Sequence, residues 1–174
     1  EAFVLPPHNG HEHVDFSPYD LPCPRVHQLV FVDGHYAADL STEPPAQAVH
    51  QAETIGRRSE GLIVARLSEA IDGEMRLVQE HLAQTATANA NAFAALNTAF
   101  MQDGAFVNVP DESSPGAPLH LLFLSTDRET PTVSHPRTLV VAGRDAKLTV
   151  IESYVSLSGS HFTNAVTEIV LGDG

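Results

Sequence analysis

The chain of 174 residues has no tryptophan, a single cysteine and few basic side chains. Each shortage excludes something. Aromatic residues reach only 6% of the chain, so its core must be built mainly from Val, Leu, Ala and Ile. The lone Cys23 cannot form an internal disulfide, and neither a CxxC pair nor a Cys/His zinc spacing occurs. That cysteine usage fits a reducing, cytoplasmic location. Nine Lys and Arg stand against 22 Asp and Glu, for a net charge of −13. A field of that sign repels phosphate backbones and anionic leaflets, which argues against nucleic-acid and membrane partners. No apolar run approaches the roughly 20 residues needed to span a bilayer. No basic stretch leads into an apolar one near the start. The chain lacks a G-x-x-x-x-G-K-S/T phosphate loop, a nucleophile elbow and an HExxH pair, so any ATP hydrolysis would belong to a partner.

What is present describes a folded chain. Hydrophobic residues make up 43% and charged residues 18%, outside the composition of disordered segments. Residues 1–25 are irregular and rich in proline. Val26 to Val32 then form an apolar strand running into Asp33-Gly34, a hairpin signal, and the return strand is expected to end near Leu40-Ser41. Residues 42–60 read as a loop. Leu62 to Ala65 read as a short strand. Asp72 is a candidate helix N-cap, with Ile71, Met75, Val78 and Leu82 at helical spacing over 73–84. A second helix is expected over 90–102, with Phe93, Leu96 and Phe100 on one face and Asp103-Gly104 as its stop.

After Gly104 the period falls to two. Ala105, Val107 and Val109 alternate with Phe106 and Asn108; Leu119 to Leu124 form an almost continuous apolar run around His120. Thr138 to Val141 make the next strand, followed by the turn Gly143-Arg144-Asp145. Ala146, Leu148 and Val150 then share a face, and a last strand spans Asn164 to Leu171 with Ala165, Thr167, Ile169 and Leu171 on one face. Turn signals recur at Asp103-Gly104, Gly143-Asp145 and Gly172-Gly174, the first two leading into a small residue and alternating aliphatics. This suits stacked coils of a solenoid or, equally, an antiparallel sandwich.

Specific motifs carry the reading further. Phe93 to Phe100, Asp103 to Pro110, Pro118 to Phe123, His135-Pro136-Arg137, Glu152-Ser153-Tyr154 and Phe162 to Glu168 occur in an order and spacing that resemble the SufB/SufD family of iron–sulfur cluster assembly proteins. The hairpin Leu29 to Gly34, followed by Leu40-Ser41, is more similar to the SufD branch. The resemblance implies a mainly β fold with an N-terminal α/β region over 1–102 and the first coils of a right-handed parallel β-helix over 103–174. It implies a non-catalytic scaffold subunit that pairs with a SufB-like paralogue and a SufC-like ATPase. An iron–sulfur cluster would be handled transiently by the parent complex, with none bound by these residues. Family members are well over twice this length, and the chain starts at Glu1 without Met. The reading therefore expects a processed, truncated or only partly represented chain and, if it is only this long, one that caps its exposed strand edges by self-association, rearrangement or strand exchange.

Two other classes compete. His8, His11 and His13, with Glu12 and Asp15, could hold a divalent ion, but no regular element fixes their geometry. Cys23 lies between two prolines with only Arg25 as a basic neighbour, which gives little cause for a depressed thiol pKa. His120 reads as a packing residue within its strand. Glu152 and Glu168 on neighbouring strands could form the carboxylate pair of a polysaccharide-cleaving β-helix enzyme, although the aromatic platforms expected of one are sparse. No residue is assigned as a catalytic, cofactor or metal ligand.

Overall fold

The computed structural model describes residues 4–6, 17–19, 27–42, 62–73 and 75–174. It is mainly β, with a few short helices and mixed sheets. In chain order come β1 (His27–Val32), β2 (His35–Tyr36), β3 (Ile63–Arg66), α1 (Leu67–Asp72), α2 (Arg76–His81) and α3 (Ala92–Phe100). Seven strands follow: β4 (Gly104–Val109), β5 (Leu119–Ser125), β6 (Thr132–Ser134), β7 (Arg137–Ala142), β8 (Val150–Ser156), β9 (His161–Thr163) and β10 (Val166–Leu171).

The strands form sheets ordered β2-β1-β5-β8, β10-β7-β4-β3 and β6-β9. From β4 onward each strand pairs with the third one along. β4 pairs with β7 and β7 with β10, β5 with β8, and β6 with β9, all parallel. Among the described residues antiparallel pairing is confined to β1 with β2 and β3 with β4. The period-two pattern follows from this arrangement. Ala105, Val107 and Val109 point inward with Leu119, Leu121, Phe123 and Val140. Phe106, Leu139 and Val141 face outward beneath Leu67, Ala70, Met75 and Val78 of the α1–α2 region. Both faces of the β4–β7 sheet are thereby covered, and β5 is likewise buried along its whole length.

Parallel pairing also stacks like on like. Phe31, Phe123 and Tyr154 form an aromatic ladder across β1, β5 and β8, with ring centroids 5.0 and 4.9 Å apart and near-parallel planes. Gly104, which opens β4, lies against Arg137, which opens β7. A Cβ on Gly104 would collide with the Arg137 carbonyl, so only glycine lets the two backbones meet there.

Several expectations need correction. The hairpin forms with Asp33 and Gly34 both at positive φ, as a type I′ turn requires. Its return strand stops at Tyr36, however, and a 3₁₀ turn occupies Ala38–Leu40. Asp72 does not start a helix: it ends α1, and Gly73 closes that helix through its N–H to the Glu69 carbonyl. Sequence spacing missed α1 because its start is held from afar. The Asp103 carboxylate accepts from the Ser68 N–H and hydroxyl and from Arg66. In α3 the buried residues are Ala94 and Asn97, whereas Phe93 is 62% and Phe100 47% exposed. Gly104 starts a strand rather than capping that helix. Ala146 and Leu148 do pack on the core, but the strand begins only at Val150. The three-residue strands β6 and β9 were not expected, being too short for a periodic signal. The turns that stack are Pro110–Glu112, Gly143–Asp145 and Gly172–Gly174, joined by Glu112 N–H to the Arg144 carbonyl and Asp145 N–H to the Asp173 carbonyl. Asp103-Gly104 is not in that stack. The expected loop over 42–60 lies, apart from Thr42, outside the described residues.

Candidate functional site

The largest buried polar side chain among the described residues is Arg137, on the outward face of β7. It is fully buried, and every N–H of its guanidinium is used. Nε and Nη2 donate to Glu168 Oε1 at 2.9 and 2.7 Å, and Nη2 also donates to the Ala86 carbonyl. Nη1 donates to Asn97 Oδ1 and Thr98 Oγ1. Glu168 comes from β10, the adjacent strand, and is also fully buried. Its carboxylate accepts three more bonds, from the N–H groups of Ala83, Thr85 and Ala86. Burial alone would raise the Glu168 pKa. The amides of Ala86 and Ala83 and the Arg137 guanidinium outweigh burial and hold it below the ordinary carboxylate value.

Asn97 completes this hub. Its Nδ2 donates to the carbonyls of Pro136 and Asn164, on the turns that lead into β7 and β10. Asn164 in turn donates to the Phe93 carbonyl and meets His135 Nδ1 at 3.1 Å. His135 packs near the Phe100 ring, and burial pushes its pKa down. The hub ties residues 83–100 to two stacked strands. Desolvation of both charges offsets much of the attraction within a buried ion pair of this kind.

Glu152 and Glu168 do not come together in the structure. Glu168 is occupied by Arg137 on the outward face of β10, while Glu152 lies on β8 beside the inward-facing Thr167. The Thr167 hydroxyl lies 3.0 and 2.9 Å from the two Glu152 oxygens, and Tyr154 donates to Glu152 at 3.2 Å. Burial, then the Glu152 charge, raises the Tyr154 pKa well above its ordinary value. His120 is fully buried with Nε2 at 2.9 Å from Ser153 Oγ, a cross-strand contact of the packing kind expected. His8, His11, His13, Glu12, Asp15 and Cys23 lie outside the described residues. Among the described residues no three His, Cys, Asp or Glu side chains converge as a metal set, and no helix is long and apolar enough to cross a membrane.

The second notable surface is a groove of about 570 Å³ between β8 and β10. Val109, Val140, Leu148, Val150 and Ile169 line it, with Glu152 and Lys147 as its charged groups. Among the described residues β8 pairs only with β5, and β10 only with β7. Two parallel-sheet edges and the apolar space between them therefore face the same way. Sequence patterning placed Thr167, Ile169 and Leu171 together on this face. It carried no signal for the Arg137–Glu168 hub, because the two residues are unremarkable singly and meet only through strand stacking.

Comparison with known proteins gives these features a context. The SufBD protein N-terminal region matches residues 46–121, and the SufBD core domain of the SUF system for FeS cluster assembly matches residues 123–174. An iron-sulfur cluster assembly SufBD family protein of Synechocystis is 30% identical over 164 residues, covering 86% of this chain and 33% of that protein. A SufBD family protein of Porphyra purpurea is 34% identical over 92 residues, covering 53% of this chain and 18% of its own length. One from Arabidopsis thaliana is 29% identical over 144 residues, covering 77% and 30%. The chain thus spans a third or less of the length of these curated relatives.

Proposed function

The chain belongs to the SufB/SufD family of iron–sulfur cluster assembly proteins, and from that premise we propose that it is part of a non-catalytic, SufD-like scaffold subunit. Its partners are a SufB-like paralogue and a SufC-like ATPase, and the cluster is cargo of the assembled complex rather than a resident group of these residues. The SufD assignment rests on the hairpin Leu29 to Gly34 with Leu40-Ser41.

The carrying observation is the pairing of every third strand from β4 to β10. Three parallel ladders supplied in rotation by one chain are the pattern expected of a parallel β-helix. Crossover connections between parallel strands are almost always right-handed, which supports that hand. Such a helix is rigid along its axis and offers flat sheet faces and strand edges. These suit holding two other proteins in fixed relation and need no catalytic group of their own. A cytoplasmic location is consistent with the single cysteine.

The test is co-expression of the full-length parent with SufB-like and SufC-like proteins from the same source. A stable ternary complex is expected, and it should load iron and sulfide only when the paralogue is present. Failure to co-purify in every combination would overturn the proposal.

A further inference from the structure

The attachment of residues 83–100 differs in kind from that of their neighbours. Up to Leu82 the helical region is held by apolar packing: Leu67, Ala70, Met75 and Val78 are buried against Phe106, Leu139 and Val141. From Ala83 the fastening turns polar. The N–H groups of Ala83, Thr85 and Ala86 hold the Glu168 carboxylate. The Ala86 carbonyl, Asn97 and Thr98 take the Arg137 guanidinium. Asn97 and Asn164 supply the remaining ties, to Pro136, Asn164 and Phe93. Within α3 only Ala94 and Asn97 are buried; Phe93 and Phe100 are partly exposed, and each keeps one ring contact, with Phe162 and His135 respectively. Ala83, where the change begins, has a φ of +60°, an uncommon backbone state for a residue with a side chain.

We propose that residues 83–100 form a strap that lifts from the β7–β10 face as one unit while the ladders beneath stay folded. The physical reason is the nature of what is lost on lifting. Apolar burial cannot be replaced by water, but hydrogen bonds can, and the Arg137–Glu168 pair regains its solvation once exposed. Lifting therefore gives up Ala94 and two ring contacts but no large, fully buried apolar side chain, and it relieves the Ala83 backbone. Segments with few buried apolar contacts open at a free energy below that of global unfolding. The apolar seat of α2 and the start of β4 at Gly104 bound the movable length. With the strap up, the outer face of β7 and β10 presents Arg137, Glu168, His135 and Asn164 to solvent. With it down, all four are buried. The strap is thus a cover over a charged face of the sheet, and this conclusion is independent of the assembly role.

The experiment is native-state hydrogen exchange of the unaltered chain at increasing sub-denaturing urea, read by mass spectrometry. Amides of 83–86 and of the second half of α3 are expected to share one opening, with a common rate and a weak urea dependence. That rate should exceed the β5 rate at least tenfold. In Asn97→Ala the strap rate should rise at least a further fivefold with β5 unchanged. Exchange of the strap at the β5 rate and urea slope would overturn the proposal. So would different openings for 83–86 and α3, which is fraying, or an Asn97→Ala effect that spreads equally to β5.

Discussion

Replacing Gly104 by alanine tests whether the stacking of β4 on β7 rests on direct backbone contact. Gly104 and Arg137 are register partners, and an added Cβ would meet the carbonyl, carbonyl carbon and amide nitrogen of Arg137. All three are backbone atoms, so no rotamer change relieves the clash. The strands must separate at the end of the ladder where Arg137 enters the hub. Overpacking a close-packed site costs about 1–3 kcal/mol, and a clash of backbone on backbone belongs at the upper end, about 3 kcal/mol. That is a large share of the roughly 5–15 kcal/mol by which domains are stable. With a urea dependence of about 1–3 kcal/mol/M, the midpoint should fall by at least about 1 M. Gly116 supplies the internal control, because a Cβ there meets nothing within 4 Å. Gly116→Ala should leave the midpoint unchanged or raise it slightly, since alanine restricts the unfolded chain. The assay is urea unfolding followed by circular dichroism. A Gly104→Ala midpoint within about 0.3 M of the parent, judged against the expected fall, would refute the steric argument.

Other predictions follow from the same contacts. Phe123→Leu removes the middle ring of the Phe31–Phe123–Tyr154 ladder and both of its stacked contacts. At about 0.5–1.5 kcal/mol per pair beyond the area term, the Tm measured by calorimetry should fall further than the lost buried area alone accounts for; a loss no larger than the area term would deny the ladder any role beyond burial. Asp33→Ala strips a buried carboxylate that accepts from the Thr126 N–H and hydroxyl and from Arg128. A loss of about 2 kcal/mol would lower Tm by roughly 4–8 °C for a chain of this size, measurable by calorimetry. The Glu168 pKa is depressed in the folded state, so its contribution is complete above its ordinary value of 4.5 and lost as pH falls through the lower folded value. The urea midpoint of the parent should therefore fall more steeply below about pH 4.5 than that of Glu168→Gln. Parallel curves would show that Glu168 is not the group responsible.

Much of the β-structure was visible in local patterning. Alternation marked the inward and outward residues of β4, and continuous apolarity marked β5 as covered on both faces. Asp33-Gly34 marked a type I′ turn. The ordered motifs from Phe93 to Glu168 pointed to the family that the comparisons then supported. These features share a cause: each is written in residues within one strand, one turn or one contiguous motif, where period and composition act directly. Contiguity decided nothing, however, about which strand lies beside which. The repeat suggested by aligning Ala105-Val107-Val109 with Ala146-Leu148-Val150 fails, because β4 stacks on β7 and only then on β10.

The remaining features were set by tertiary structure alone. A helix face rich in phenylalanine would ordinarily be turned inward, yet α3 buries Asn97, because Arg137, Pro136 and Asn164 present polar groups that only an amide can satisfy together. The start of α1 depends on Asp103, 35 residues distant from Ser68, and Glu168 reaches amides more than 80 residues away. Hydrophobic periodicity reports how a segment meets an apolar surface; it says nothing about a polar hub assembled from four separate segments. Sequence alone therefore determined most of the longer strands, the alternation of their faces and the family. Strand stacking determined the ladders, the buried Arg137–Glu168 pair and the strap above it, because those contacts exist only once distant residues share a rung.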